Sequence, residues 1–102
     1  MTTTMTPLTH DEISEEMKDF PDWAHRAKVI TRTYKFDGFP QSIAFVDQIA
    51  KRAQKLKHHP DIDIRFDQVT LELTTHDAGG LTEKDFTLAE QSDEEFDTLS
   101  EG

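Results

Sequence analysis

Hydrophobic spacing along the chain switches between a helical and a strand period, and the switches mark its elements. Leu8 and Ile13 sit around Thr9 as a hydrophobic staple, and Glu12 follows three residues later in capping-box spacing, which predicts a short helix over 10–18. Phe20-Pro21-Asp22 ends it. From Trp23 to Phe36 β-branched and aromatic residues recur, with Ile30, Tyr34 and Phe36 on one parity, which predicts strands over 23–27 and 30–36. Asp37 is placed to cap the next segment, and Pro40 falls in a first helical turn, where its missing N–H costs nothing. Apolar residues at Phe45, Val46, Ile49, Ala50, Ala53 and Leu56 then predict a helix over 39–57 with one buried face. Lys51, Arg52, Lys55 and Lys57 read as its solvated side.

Residues 62–75 carry the clearest β signal. Ile62, Ile64 and Phe66 alternate with polar residues, the parity flips across Asp67-Gln68, and Val69, Leu71 and Leu73 continue. A two-residue loop at 67–68 pairs Phe66 with Val69, Ile64 with Leu71 and Ile62 with Leu73, setting every large apolar group on one face. A last helix starts at Thr82, whose Asp85 partner repeats the capping-box spacing, and runs through Phe86, Leu88 and Ala89. Beyond Gln91 only Phe96 and Leu99 punctuate an acidic tail at 92–102, helical or frayed. The order α-β-β-α-β-β-α predicts a single α+β domain over 1–102, with three helices packed on one face of a four-stranded antiparallel sheet.

Composition narrows the functions open to such a domain. Ile, Leu, Val and Phe make up about 22% of the 102 residues, just above the level of about 20% below which a highly charged chain tends to stay disordered. Twenty-one acidic against eleven basic residues give a net charge of −10, which repels phosphate backbones and anionic headgroups, so neither nucleic acid nor a membrane is expected as a partner. The excess is concentrated at Glu90, Asp93, Glu94, Glu95, Asp97 and Glu101. The chain has no cysteine, which removes disulfides, thiol nucleophiles and Cys-ligated metals. The opening MTTTMTPL has no basic n-region, and no apolar stretch approaches membrane-spanning length, so a cytoplasmic protein is expected.

The candidate chemistry lies in three of the five histidines. Extending the expected hairpin register outward sets His59 opposite His76, with His58 beside them near the end of the long helix. Imidazoles with unperturbed pKa near 6.5 can hold a proton donor and an acceptor ready together at neutral pH, which suits loss or addition of water. The plain alternative is that His58-His59-Pro60 closes a helix, His76 starts a loop before Gly79-Gly80, and Asp85 is the capping acid. A metal site from the three histidines with Asp77 or Asp85 is disfavoured, since adjacent histidines are a weak ligand spacing and no H-E-x-x-H occurs.

The run from Ala53 through Asp85 resembles the pterin-4a-carbinolamine dehydratases: Leu56, His58-His59-Pro60, an aromatic at Phe66, Thr74-Thr75-His76-Asp77, Gly79-Gly80-Leu81 and Asp85 fall at that family's spacing. Weaker likeness through Leu8 to Ile13, Trp23, Arg32 to Phe36 and Phe45-Val46 extends it over residues 8–90. The resemblance implies dehydration of a 4a-hydroxytetrahydropterin to the quinonoid dihydropterin, the step that recycles the pterin after an aromatic amino-acid hydroxylase, with no metal or bound cofactor. It implies His58 and His76 as the acid and base and His59 as a third imidazole, binding or assisting. Pro60, Thr75, Asp77 and Ala78 would line the pterin pocket, with Asp85 supporting it.

Three departures from the family pattern stand out. Gln54 occupies the position, one turn before His58, where the family usually has a charged residue. Ile62 replaces an aromatic. The last helix carries Glu90-Gln91-Ser92-Asp93-Glu94-Glu95 where the family's is apolar at a tetramer centre. Like charges on a symmetry axis oppose association, so a dimer is expected in preference to a tetramer. Relatives that serve as a dimerisation partner of a transcription factor or as assembly factors supply the non-catalytic alternative. Those of the assembly type tend to lack the histidine set.

Overall fold

The computed structural model describes residues 6–101; residues 1–5 of the opening segment and residue 102 of the acidic tail lie outside them. In chain order the elements are α1 (His10–Met17), β1 (Ala24–Arg26), β2 (Val29–Lys35), α2 (Phe39–Leu56), β3 (Asp61–Arg65), β4 (Gln68–Leu73) and α3 (Glu83–Glu101), with a 3₁₀ turn at His76–Ala78. The sheet is antiparallel in the order β1-β2-β4-β3. The α+β class and the α-β-β-α-β-β-α order are those expected from the spacing.

Local chemistry explains the boundaries. Thr9 and Glu12 exchange both capping-box bonds, the Glu12 N–H donating to the Thr9 hydroxyl at 3.2 Å and the Thr9 N–H to the Glu12 carboxylate at 2.8 Å. Asp37 does not cap α2. Gly38 is its N-cap, with no side-chain bond, and Pro40 lies in the first turn as expected. The inward stripe of α2 is Ser42, Phe45, Ile49 and Ala53, whereas Ala50 is exposed because it falls one position off that stripe. Ile30 and Tyr34 of β2 and Val69, Leu71 and Leu73 of β4 are buried, and Thr33, Lys35, Gln68 and Glu72 on the opposite parity are exposed. One face of the sheet is therefore covered and the other meets water, as antiparallel sheets allow.

The β3–β4 hairpin departs from the expected register by two residues. Ile64 pairs with Val69 and Ile62 with Leu71, so the turn is Phe66-Asp67. Phe66 is not inside: it sits in the left-handed region at φ 53 and is 68% exposed. A shift of two preserves the parity of every side chain, so the apolar pattern alone cannot distinguish the two registers. The observed turn is tied to the end of β2, where the Phe36 N–H donates to the Asp67 carbonyl at 2.7 Å and Lys35 pairs with the Asp67 carboxylate at 3.1 Å.

The acidic stretch of α3 is helical and pinned to the rest of the fold. Asp93 accepts from the Trp23 indole N–H at 3.1 Å, from Arg32 at 2.7 Å and from the Tyr34 hydroxyl. Burial first, then the hydrogen bond to Asp93 and its charge, hold the Tyr34 hydroxyl far above its ordinary pKa of 10, against the opposing pull of Arg32. Arg52 reaches Glu95 at 2.7 Å and Glu94 at 3.6 Å. Two arginines thus offset part of the charge expected to repel a second copy, while Glu90 and Asp97 have no ion-pair partner among the described residues.

Candidate active site

The end of α2 turns on Lys57. It adopts the left-handed conformation at φ 53, its N–H reaching the Gln54 carbonyl at 3.2 Å and the His58 N–H the Ala53 carbonyl at 3.0 Å. This is the Schellman arrangement usually built on glycine. A non-glycine residue there costs roughly 1 kcal/mol, and the turn swings His58 back against the start of α3.

His58 is buried, and its Nε2–H donates to Asp85 Oδ1 at 2.6 Å. Asp85 is fully buried, and its other oxygen accepts from the Thr75 hydroxyl at 2.8 Å and the Thr82 N–H at 2.9 Å. Three donors thus offset the cost of removing a carboxylate from water. Because Thr75 gives its proton to Asp85, the Thr82 hydroxyl donates to Thr75 across 2.8 Å. The capping box expected at Thr82 is therefore half made: the carboxylate takes the Thr82 N–H, while the Thr82 hydroxyl turns to Thr75. With Nε2 occupied, Nδ1 is the nitrogen His58 has left for a ligand. Among the described residues no buried side-chain nitrogen or oxygen lacks a partner, so Nδ1, which has no protein partner, is open to solvent.

β4 delivers Thr74 and Thr75 to the same place. The 3₁₀ turn at His76–Ala78 is closed by Gly79 at φ 76, where glycine carries no steric cost, and by the bridge between Thr75 and Gly80. Lys57, His58, His59, Thr74, Thr75, His76, Asp77 and Lys84 line a cleft of about 230 Å³. That is smaller than the roughly 300–1,000 Å³ of drug-sized pockets and suits a small flat ring. The hollow between α1 and α3 and the groove along α2 and α3 are larger, but no histidine lines either.

The three histidines expected to act together do line one cleft, although not by the expected route. Carried past Asp61↔Glu72, the observed register sets His59 across from Thr74 and not from His76. His76 reaches the cleft through the 3₁₀ turn. His59 and His76 are exposed. Gln54, expected beside His58, is instead within hydrogen-bond distance of His59, Nε2 to Oε1 at 3.3 Å. Thr75 and Asp77 line the cleft, and Asp85 stands behind it under His58. Pro60 and Ala78 are partly buried nearby and outside the lining. Phe66 lies at the far end of β3 from His59. Among the described residues no group of three or more histidine or carboxylate side chains gathers at metal-binding geometry.

Sequence reasoning missed Lys57, Thr74 and Lys84. Helical periodicity puts Lys57 on the solvated face of α2, because it takes no account of the left-handed turn that ends the helix. Lys84 carried a signal, being adjacent to Asp85 in a first helical turn.

The family model described as pterin 4 alpha carbinolamine dehydratase matches residues 6–95. A protein of Chloroflexus aurantiacus, provisionally named pterin-4-alpha-carbinolamine dehydratase, is 52% identical over 90 residues, covering 88% of this chain and 97% of its own. A protein of Nocardia farcinica with the same provisional name is 47% identical over 87 residues, covering 85% and 92%. Among solved structures, the transcriptional coactivator/pterin dehydratase from Brucella melitensis superimposes with a TM-score of 0.85 at 32% identity, covering 88% of this chain and 98% of that one. A pterin dehydratase-like protein described as a RuBisCO assembly factor in the alpha-carboxysome shares the fold, with a TM-score of 0.63 at 22% identity over 74% and 89%.

Proposed function

Since the chain belongs to the pterin-4a-carbinolamine dehydratase family, we propose that it dehydrates a 4a-hydroxytetrahydropterin to the quinonoid dihydropterin by histidine acid–base chemistry. The observation that carries this reading is the buried His58–Asp85 pair opening on a cleft that His59 and His76 also line. Loss of water breaks the C4a–O bond as N5 gives up its proton, and the N5 electron pair forms the C4a=N5 double bond. The site must therefore offer a base at N5 and an acid at the 4a-hydroxyl, on a ring held flat between them.

Asp85 fixes the proton of neutral His58 on Nε2, which leaves Nδ1 as an acceptor, so His58 serves as the base and Asp85 stabilises the imidazolium that forms. His76 protonates the leaving hydroxyl, and His59 orients the ring. Thr75 and Asp77 contact the pterin from the β4 side, with Pro60 and Ala78 shaping the approach. Acid–base catalysis of this kind contributes about 10²–10⁴-fold.

The reaction takes place in the cytoplasm, within tetrahydropterin recycling, and the working unit is a dimer; light scattering at physiological salt should give two chain masses, and four would refute that assembly. Among the described residues no helix is long and apolar enough to cross a membrane. Stopped-flow decay of a 4a-carbinolamine with and without the chain tests the activity. The expected result is acceleration that scales with protein concentration. Decay at the uncatalysed rate would overturn the reading in favour of a partner-binding role.

A further inference from the structure

The cleft and the chain differ in charge. The chain carries −10, yet with neutral imidazoles the cleft lining contributes two ammoniums, Lys57 and Lys84, against one carboxylate, Asp77. Of the acids on either side of Lys84, Asp85 is buried behind His58 with its own three donors, and Glu83 is exposed and lines a separate hollow with Lys84. Among the described residues neither lysine belongs to an ion pair, which is also true of Arg26, Lys28, Lys51 and Lys55, but of these six only Lys57 and Lys84 line the cleft.

Lys57 is exposed, and what places the two side chains at the cleft is their backbone. Lys57 directly precedes His58 and is held by a left-handed turn with two backbone hydrogen bonds. Lys84 directly precedes Asp85 and is half-buried in the first turn of α3. The two cations therefore flank the buried His58–Asp85 pair, one from each element that supplies it. A pterin ring is uncharged and gives them no counter-ion; a substituent on the ring can.

We propose that Lys57 and Lys84 form a recognition rim for an anion, selecting pterins whose side chain carries a phosphate or a carboxylate. The proposal rests on the dehydratase reading and names its substrate class. The rim touches a part of the substrate that does not react, so it acts on ground state and transition state alike and is expressed in KM. Each exposed ammonium–anion contact is worth about fivefold in affinity, which is about 1 kcal/mol at about 1.4 kcal/mol per tenfold.

The test compares three 4a-carbinolamines with one ring: a neutral polyhydroxyl side chain, its phosphate monoester, and a side chain ending in a carboxylate. The expected result is a KM for at least one anionic substrate about tenfold or more below that of the neutral one, with similar kcat. Raising the ionic strength should shrink the difference. Lys57→Gln and Lys84→Gln should each reduce the preference about fivefold, and Lys84→Arg, which keeps the charge, should retain it. Which anion is preferred identifies the source. Equal KM for all three substrates, or a preference that survives in the double Lys→Gln variant, overturns the rim alone. Absence of turnover on every substrate overturns the dehydratase reading and the rim with it.

Discussion

Asp85→Asn keeps the shape of the buried side chain and removes its charge, and the hydrogen bonds dictate how it must sit. One Asp85 oxygen takes two donors, from Thr75 and the Thr82 N–H, and the other takes only His58. The asparagine retains its oxygen toward the pair of donors and turns its NH₂ toward His58, which must then present Nε2 as an acceptor and carry its proton on Nδ1. The nitrogen facing the cleft becomes a donor, and the base is lost. The three contacts persist without the charge that strengthens them, which costs about 2 kcal/mol of stability, or roughly 8–16 °C in Tm for a domain near 100 residues. Turnover should fall by about 10²-fold or more, the lower edge of the acid–base contribution, with KM changed by less than about threefold. Stopped-flow decay of the carbinolamine at a temperature below both melting transitions, paired with thermal denaturation, measures both effects. A variant with the expected loss of Tm but turnover within about threefold of the parent would refute the role given to Asp85.

Other outcomes follow from the geometry. Gln54→Glu places a carboxylate beside His59, so the ring-proton NMR signals of His59 should move while those of His58 stay put; a change confined to His58 would contradict the contact. Phe66→Gly relieves a left-handed conformation at an exposed turn and should raise Tm by several degrees, the equivalent of about 1 kcal/mol, without touching turnover. Tyr34, the chain's one tyrosine, stays protonated in the folded state above its ordinary pKa of 10. The unfolded chain loses that proton first, so Tyr34 contributes its full stability below pH 10 and loses it as pH rises toward the folded-state value. Ultraviolet titration should show phenolate absorbance appearing only together with unfolding, and a reversible rise near pH 10 in folded protein would contradict the Tyr34–Asp93 contact.

How much the sequence disclosed depended on whether the cue was local or relational. The capping box at Thr9, the stripe through Phe45, Ile49 and Ala53, and the alternation of β4 depend on near neighbours in the chain, and each stands in the structure where the spacing puts it. The hairpin register was not legible, because a period of two cannot separate registers two residues apart and Asp67 owes its place to β2. At the site, the three histidines were found through their types and spacing. The partner of Gln54 was misread because the left-handed Lys57 rotates His58 away from the helical face and brings His59 toward it. That a lysine adopts that conformation in place of glycine has no signature in hydrophobic spacing.

The central claim is that three imidazoles act on one flat guest, and NMR titration with a dihydropterin lacking the 4a-hydroxyl tests it most directly. The account predicts that the ring protons of His58, His59 and His76 shift together along one binding curve, while those of His10 and His25, which lie outside the cleft, remain still. Shifts spread over all five histidines, or three curves with unrelated midpoints, would contradict it.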